Sequence, residues 1–141
     1  MRHYLIISFS FALLAMSVDS IAGEMKVKPG KWEFVSTTTM AMMGAPRTHT
    51  TNQCLKEAKV SPETLMKDMA QGCELLDSKA SSNEMSWKVK CMQEGGEMTG
   101  QGNVTSDGDT VKGGMEMQMS FNGQAMDMQV EWSGKHIGRC N

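Results

Sequence analysis

The sequence contains few of the residues from which binding and catalytic sites are usually built. Its 141 residues include one Tyr, three Trp, four Phe, three Pro and three His. The 14 Lys and Arg residues are outnumbered by 16 Asp and Glu residues, which gives a formal net charge of -2. Proteins that bind the phosphate backbone of nucleic acids need a basic excess. We therefore expect no nucleic-acid partner.

Motifs of the common enzyme classes are also missing. The sequence has no Gly-x-Ser-x-Gly nucleophile motif, no Gly-x-Gly-x-x-Gly loop and no P-loop. The carboxylates of Glu116, Asp127 and Glu131 alternate with apolar residues and are expected to face solvent. We predict a protein that is not an enzyme and that has no cofactor.

Residues 1–22 have the pattern of a signal peptide. An apolar run of 12 residues follows a short basic start, and this run is too short to span a bilayer. Ser20 and Ala22 supply the small residues that a signal peptidase needs for a cut before Gly23. We predict a periplasmic or secreted protein with one domain over 23–141 and no membrane span after cleavage.

The four cysteines all lie in the predicted mature chain, at Cys54, Cys73, Cys91 and Cys140. Their separations of 19, 18 and 49 positions do not fit the paired short spacings of a zinc site. An even number of cysteines in an exported chain predicts two disulfides. Hairpin geometry favours Cys73 with Cys91 and therefore Cys54 with Cys140. The alternative joins Cys54 to Cys73 around a helix and Cys91 to Cys140.

Alternating apolar and polar residues predict β-strands along most of the chain. Trp32, Phe34 and Met40 share one parity in a strand over 31–40, and 47–55 predicts its hairpin partner. The same alternation predicts five further strands, over 74–80, 85–92, 97–106, 109–121 and 124–133.

One helix is predicted between the first hairpin and the later strands. Ser61 and Pro62 are typical of a helix start, because the Ser hydroxyl accepts from a free backbone N–H and Pro has none. Leu65 and Met69 form one apolar stripe, and Gly72 ends the helix. The fold is therefore predicted to be mainly β: a curved antiparallel meander sheet or a small β-barrel with one short helix, with a sandwich as the main rival.

Two dipeptides predict the register of the last three strands. Asp107-Gly108 and Asn122-Gly123 both favour two-residue type I′ turns. A turn at Asn122-Gly123 places Met117 opposite Met128, and a turn at Asp107-Gly108 places Met98 opposite Met117. Both turns align apolar residues on one face of the sheet.

This face contains the candidate ligand-binding residues. Thioethers suit Cu(I), but they also fill irregular gaps in an ordinary core. A barrel interior lined by flexible Met could instead hold a small apolar molecule such as a lipid. Trp132 is expected to cover the facing Gly113, unless the glycine marks a bend in the sheet. The candidates are Met115, Met117, Met119, Met126, Met128 and Trp132.

We predict a non-enzymatic exported binding or interaction module whose partner is a protein or a small apolar ligand. The alternatives are Cu(I) binding through the Met-rich hairpin and carriage of an apolar molecule in the barrel interior. A third role for these side chains is that of an oxidant sink.

Several segments of the chain resemble the bacterial exported family known as domain of unknown function 3617. The most specific pieces are the Pro-Gly-x-Trp-Glu opening and the Gly-x-x-Ile-Gly-x-Cys ending, combined with the four cysteines. The resemblance implies an exported β-rich domain with no assigned biochemical activity. The segments that resemble the family are 28–33, 53–55, Cys73, 87–91, 98–102, 108–109, 115–119 and 134–140.

The signal-peptide hypothesis predicts the N-terminus of the mature protein. N-terminal sequencing of the exported protein should begin at Gly23, because the small residues at Ser20 and Ala22 direct the cut there. A mature protein that still begins at Met1 would instead indicate an uncleaved membrane anchor.

Overall fold

The computed structural model describes residues 23–67 and 72–141. This part of the chain is mainly β, as predicted, and contains no helix that is long and apolar enough to cross a bilayer. Its elements are β1 (Met25–Lys26), β2 (Gly30–Met40), β3 (Arg47–Leu55), β4 (Lys59–Val60), α1 (Pro62–Lys67), β5 (Cys73–Ala80), β6 (Glu84–Gln93), β7 (Gly96–Ser106), β8 (Thr110–Phe121) and β9 (Gln124–Gly138).

Seven strands form one antiparallel sheet in the order β3-β2-β9-β8-β7-β6-β5. Successive strands are neighbours from β5 to β9, and the β2–β3 hairpin joins the sheet through β9. Strands β3 and β5 are the two edges, so the predicted curved meander sheet is observed and the strands do not close into a barrel. Strands β1 and β4 form a separate two-stranded ribbon.

Polar side chains from most strands of the curved sheet border one open trough. Side chains of β2 and β5, five positions apart in the sheet, border a single trough of about 1000 Å³. Polar-face residues of the strands between them, such as Gln101, Glu116 and Gln129, line the same trough. Polar side chains of strands that are not neighbours in the sheet therefore border one shared trough.

The turn between β8 and β9 is the one predicted. Asn122 and Gly123 have φ values of 50° and 79°, the two positive angles that a type I′ turn requires. Met117 lies opposite Met128, as expected from this turn.

The turn between β7 and β8 was predicted at the wrong dipeptide. The backbone N–H of Asp107 donates to the carbonyl of Thr110 at 2.8 Å, so the two central residues are Gly108 and Asp109. Gly108 has a φ of 81°, whereas Asp109 keeps a negative φ. A turn with Gly in the first central position needs one positive φ, not two, and so avoids the cost of a left-handed Asp.

This change shifts the β7–β8 register by two residues from the prediction. Met98 lies opposite Met119, not Met117, and Gly100 rather than Met98 lies opposite Met117. Because a shift of two preserves the side-chain parity, the predicted apolar face is unchanged.

The cysteines pair as the hairpin geometry favoured. The disulfides are Cys73–Cys91 and Cys54–Cys140, so the alternative pairing is wrong. The β5–β6 loop has two residues, which alone would offset Cys73 from Cys91 by one position. A bulge at Leu76 removes the offset and brings the two cysteines directly opposite each other.

The buried core lies between one end of the apolar face and the N-terminal ribbon with α1. Helix α1 begins as predicted, since the N–H of Thr64 donates to Ser61 Oγ at 3.2 Å. The predicted last turn of the helix, with Met69, lies outside the described residues. Leu65 and Met66 pack against the core. The core residues are Met25, Val27, Trp32, Met85, Trp87, Val89, Val104 and Val111.

Two tryptophans cover strand glycines within this core. Trp132 lies over Gly113, as predicted, and Trp87 lies over Gly102. The two indoles stack with ring centroids 6.3 Å apart. The glycines thus leave room for two large rings from strands that are not neighbours.

Substitution of Gly102 tests this packing. A Cβ added there would meet the indole of Trp87, with Cε2 at 2.6 Å, whereas one added at Gly114 would have Val130 O as its nearest neighbour at 3.5 Å. Gly102→Ala should lower the free energy of unfolding by about 1–3 kcal/mol through overpacking. Gly114→Ala should leave it nearly unchanged. Urea unfolding of both variants measures the difference, and equal stabilities would contradict the packing.

Candidate functional site

The structure places the six candidate residues on the apolar face of the β8–β9 hairpin. Met117 and Met119 lie directly opposite Met128 and Met126, while Met115 lies opposite Val130. Trp132 belongs to the other end of the hairpin, where it stacks on Trp87. The five methionines are therefore brought together, and Trp132 belongs to the core packing instead.

Two further methionines extend this cluster across the sheet. Met98 of β7 lies opposite Met119, and Met40 of β2 lies opposite Met128. The side-chain alternation of β7 already placed Met98 on this face. Met40 joins it only through the β2–β9 pairing, which no turn signal predicts. The methionine face is defined here as Met40, Met98, Met115, Met117, Met119, Met126 and Met128.

The methionine face is not part of the closed core. All seven side chains are half-buried, whereas Met25 and Met85 of the core are 3% and 1% exposed. Of the seven, Met115 packs against the core. Helix α1 lies against β5 and β6, away from the β8–β9 hairpin. Apart from Met115, these methionines thus lie outside the buried core that the described residues form.

The neighbouring end of the sheet adds exposed apolar side chains. Met42 and Met43 lie in the β2–β3 loop and are 76% and 43% exposed. Phe121, at the end of β8, and Met92, near the end of β6, are both more than half exposed. Because the strands are antiparallel, these residues lie at the same end of the sheet as Met119 and Met126.

The predicted solvent-facing carboxylates lie on the opposite face. Glu116, Asp127 and Glu131 are exposed, and Glu116 accepts a hydrogen bond from Gln101 Nε2 at 3.1 Å. A second hollow of about 630 Å³ continues along this face next to the trough. Both hollows are open, and the second is bordered by Met117 and Met128 as well as by polar residues.

One surface ion pair shifts the pKa of its carboxylate. Lys28 Nζ lies 2.7 Å from Asp109 Oδ1, and this hydrogen bond, with the lysine charge, lowers the pKa of Asp109. Both side chains are largely exposed, so water screens the pair. The pair joins the segment before β2 to the β7–β8 turn, far from the methionine face.

Sulfur ligands on the methionine face are thioethers. All four cysteines are in disulfides, so no thiolate is free. In the described ranges, no group of three or more His, Cys, Asp and Glu side chains could hold a metal ion. A hard metal would therefore find no conventional site there, whereas a soft metal would find several neutral sulfur atoms.

One comparison with known proteins gives a match. The model of a family described as "Protein of unknown function (DUF3617)" matches residues 27–140. No curated protein and no solved structure matches the chain.

The exposure of the methionines predicts their order of oxidation. Under mild peroxide, Met42 should form sulfoxide first, the half-buried methionine face next, and Met25 and Met85 last, because oxidant access follows exposure. Peptide mass spectrometry over time measures the order. Protection of Met117 and Met128 equal to that of Met85 would show that the face is covered.

Proposed function

We propose that this chain, which belongs to the DUF3617 family, is an exported, non-enzymatic binding module. Its binding surface is the methionine face. The family description assigns no activity, so the proposal depends on the geometry of the site. Its main support is a contiguous set of seven half-buried methionines on the open side of a rigid sheet.

The physical argument starts from the cost of exposing apolar side chains. Soluble proteins rarely expose contiguous apolar patches unless another molecule covers them. Burial of such a patch is favourable in proportion to the apolar area removed from water. Methionine is well suited to this role, because its flexible thioether side chain adapts to partners of different shape.

A protein partner fits this surface better than an enclosed small molecule. Carriage of an apolar ligand in a barrel interior needs a closed apolar cavity, but the seven-stranded sheet does not close into a barrel. The methionine face is instead part of the surface of an open sheet. Such a surface can pack against an apolar surface of another protein, which buries it without a cavity.

The disulfides support an exported location. Cys54–Cys140 and Cys73–Cys91 form stably in oxidising compartments such as the periplasm or the extracellular space. The predicted signal peptide, residues 1–22, points to the same compartments but lies outside the described residues. The absence of enzyme motifs from the sequence is the ground for proposing a non-enzymatic role.

Crosslinking on the two faces of the same hairpin tests the proposal. A photoreactive amino acid at Met117 or Met128 should give a discrete adduct with another protein in the cells that produce the chain. The same amino acid at Gln118 or Gln129 projects from the opposite face and should give none. Mass spectrometry of the adducts identifies the partner.

Four results would contradict the proposal. They are no adduct at Met117 and Met128, equal adducts on both faces, an adduct with lipid, and an adduct with a second copy of the chain.

A further inference from the structure

The centre of the methionine face is a square of four side chains. Met117–Met128 and Met119–Met126 are directly opposed pairs, and the two pairs are one alternate position apart along both strands. Directly opposed Cβ atoms lie about 4.5–5.5 Å apart, and alternate residues along a strand lie about 6.5–7 Å apart. Each methionine has three rotatable bonds beyond Cα. Four sulfur atoms can therefore converge above the middle of the square.

The backbone beneath the square is fixed from both sides. Strands β8 and β9 are interior strands, paired with β7 and β2 as well as with each other. The type I′ turn at Asn122-Gly123 sets their mutual register. A metal bound there would need to order only side chains, since the strands are already held in place. Met98 and Met40 flank the square and supply further thioethers.

The chemistry of the square favours one class of ion. Its ligands are neutral and soft, with no free thiolate nearby, because Cys73 and Cys91 form a disulfide. The carboxylates of Glu116 and Asp127 lie on the opposite face and do not reach it. Soft thioethers select Cu(I) over Mg²⁺, Ca²⁺ and other hard cations.

We propose that Met117, Met119, Met126 and Met128 bind one Cu(I) ion on the open methionine face. This inference rests on the same surface as the proposed function and assigns a ligand to it. The four side chains are half-buried, which leaves part of each accessible to an incoming ion.

Competition with a Cu(I) chelator tests the site. The exported chain, purified with its disulfides intact, is titrated without oxygen against bathocuproine disulfonate. One Cu(I) per chain should be retained. Met119→Leu with Met126→Leu should weaken retention at least about tenfold, because leucine replaces the thioether with a hydrocarbon of similar volume. Met117→Leu with Met128→Leu provides an independent second test if the first variant fails to fold.

A matched pair of exposed methionines serves as the control. Met42→Leu with Met43→Leu removes two thioethers from the β2–β3 loop and should leave Cu(I) retention unchanged. Failure of the unmodified chain to retain Cu(I), or full retention by a folded variant of the square, would overturn the site. Equal loss in the loop variant would mean diffuse binding to exposed sulfur and would overturn it as well.

The pH dependence separates this site from binding to histidine. Thioethers have no proton to lose, so Cu(I) affinity should be nearly constant from about pH 5 to pH 8. Binding through histidine would instead weaken in acid, because a protonated imidazole cannot coordinate a metal. A steep loss of retention in that range would exclude a site made of methionine alone.

The leucine variants also separate this inference from the proposed function. Leucine keeps the surface apolar, so crosslinking of a protein partner through Met40 or Met98, which flank the square on the same face, should persist while Cu(I) is lost. Failure of the unmodified chain to retain Cu(I) would contradict only the metal site. Failure of the unmodified chain to crosslink would contradict only the proposed protein partner.

Discussion

The pairing of β2 with β9 is the constraint on which the rest of the structure depends. It joins residues about a hundred positions apart, so it has the largest loop-closure entropy of any pairing in the sheet. Trp32 is fully buried at this junction, and its Nε1 donates to the carbonyl of Lys28 at 2.8 Å. His136 packs edge-on against Trp32, and its Nε2 lies 3.2 Å from the carbonyl oxygen of Pro29. The Cys54–Cys140 disulfide restrains the same junction covalently by removing conformations from the unfolded chain.

This junction also determines the extent of the methionine face. Strand β9 is an interior strand only because β2 pairs with its free side, and that pairing brings Met40 next to Met128. Without it, β9 would be an edge with unpaired backbone groups, a known template for aggregation. The Pro-Gly-x-Trp-Glu opening and the Gly-x-x-Ile-Gly-x-Cys ending, two of the segments that resemble the family, meet at this contact. Trp32 and Cys140 of these motifs stabilise the junction.

Local turn chemistry predicts part of the structure from the sequence, and its failure at one turn is informative. Asn122-Gly123 gave the correct register, because both residues tolerate a positive φ. At Asp107-Gly108-Asp109 two turns competed, and the observed one spares Asp a left-handed backbone. The predicted face survived because the error was two residues, and side chains alternate with a period of two. The Cys73–Cys91 pair was favoured from the hairpin, although the bulge at Leu76 that aligns it was not predicted.

The sequence could not predict that most of these methionines lie outside the buried core. Alternation shows which residues share a face, but it does not show whether a second layer covers that face, and burial depends on elements distant in the chain. Here β1, β4 and α1 cover the end of the sheet near Trp32 and Val89 and leave the β8–β9 hairpin open. Valine, with its β-branched side chain, fits a half-exposed strand well, and it does not oxidise. Thioethers in an oxidising compartment are prone to sulfoxide formation, and they do not stabilise a strand more than valine does. Their concentration on the open part of the face, while valines fill much of the closed core, is therefore better explained by the adaptability or the softness of sulfur than by folding.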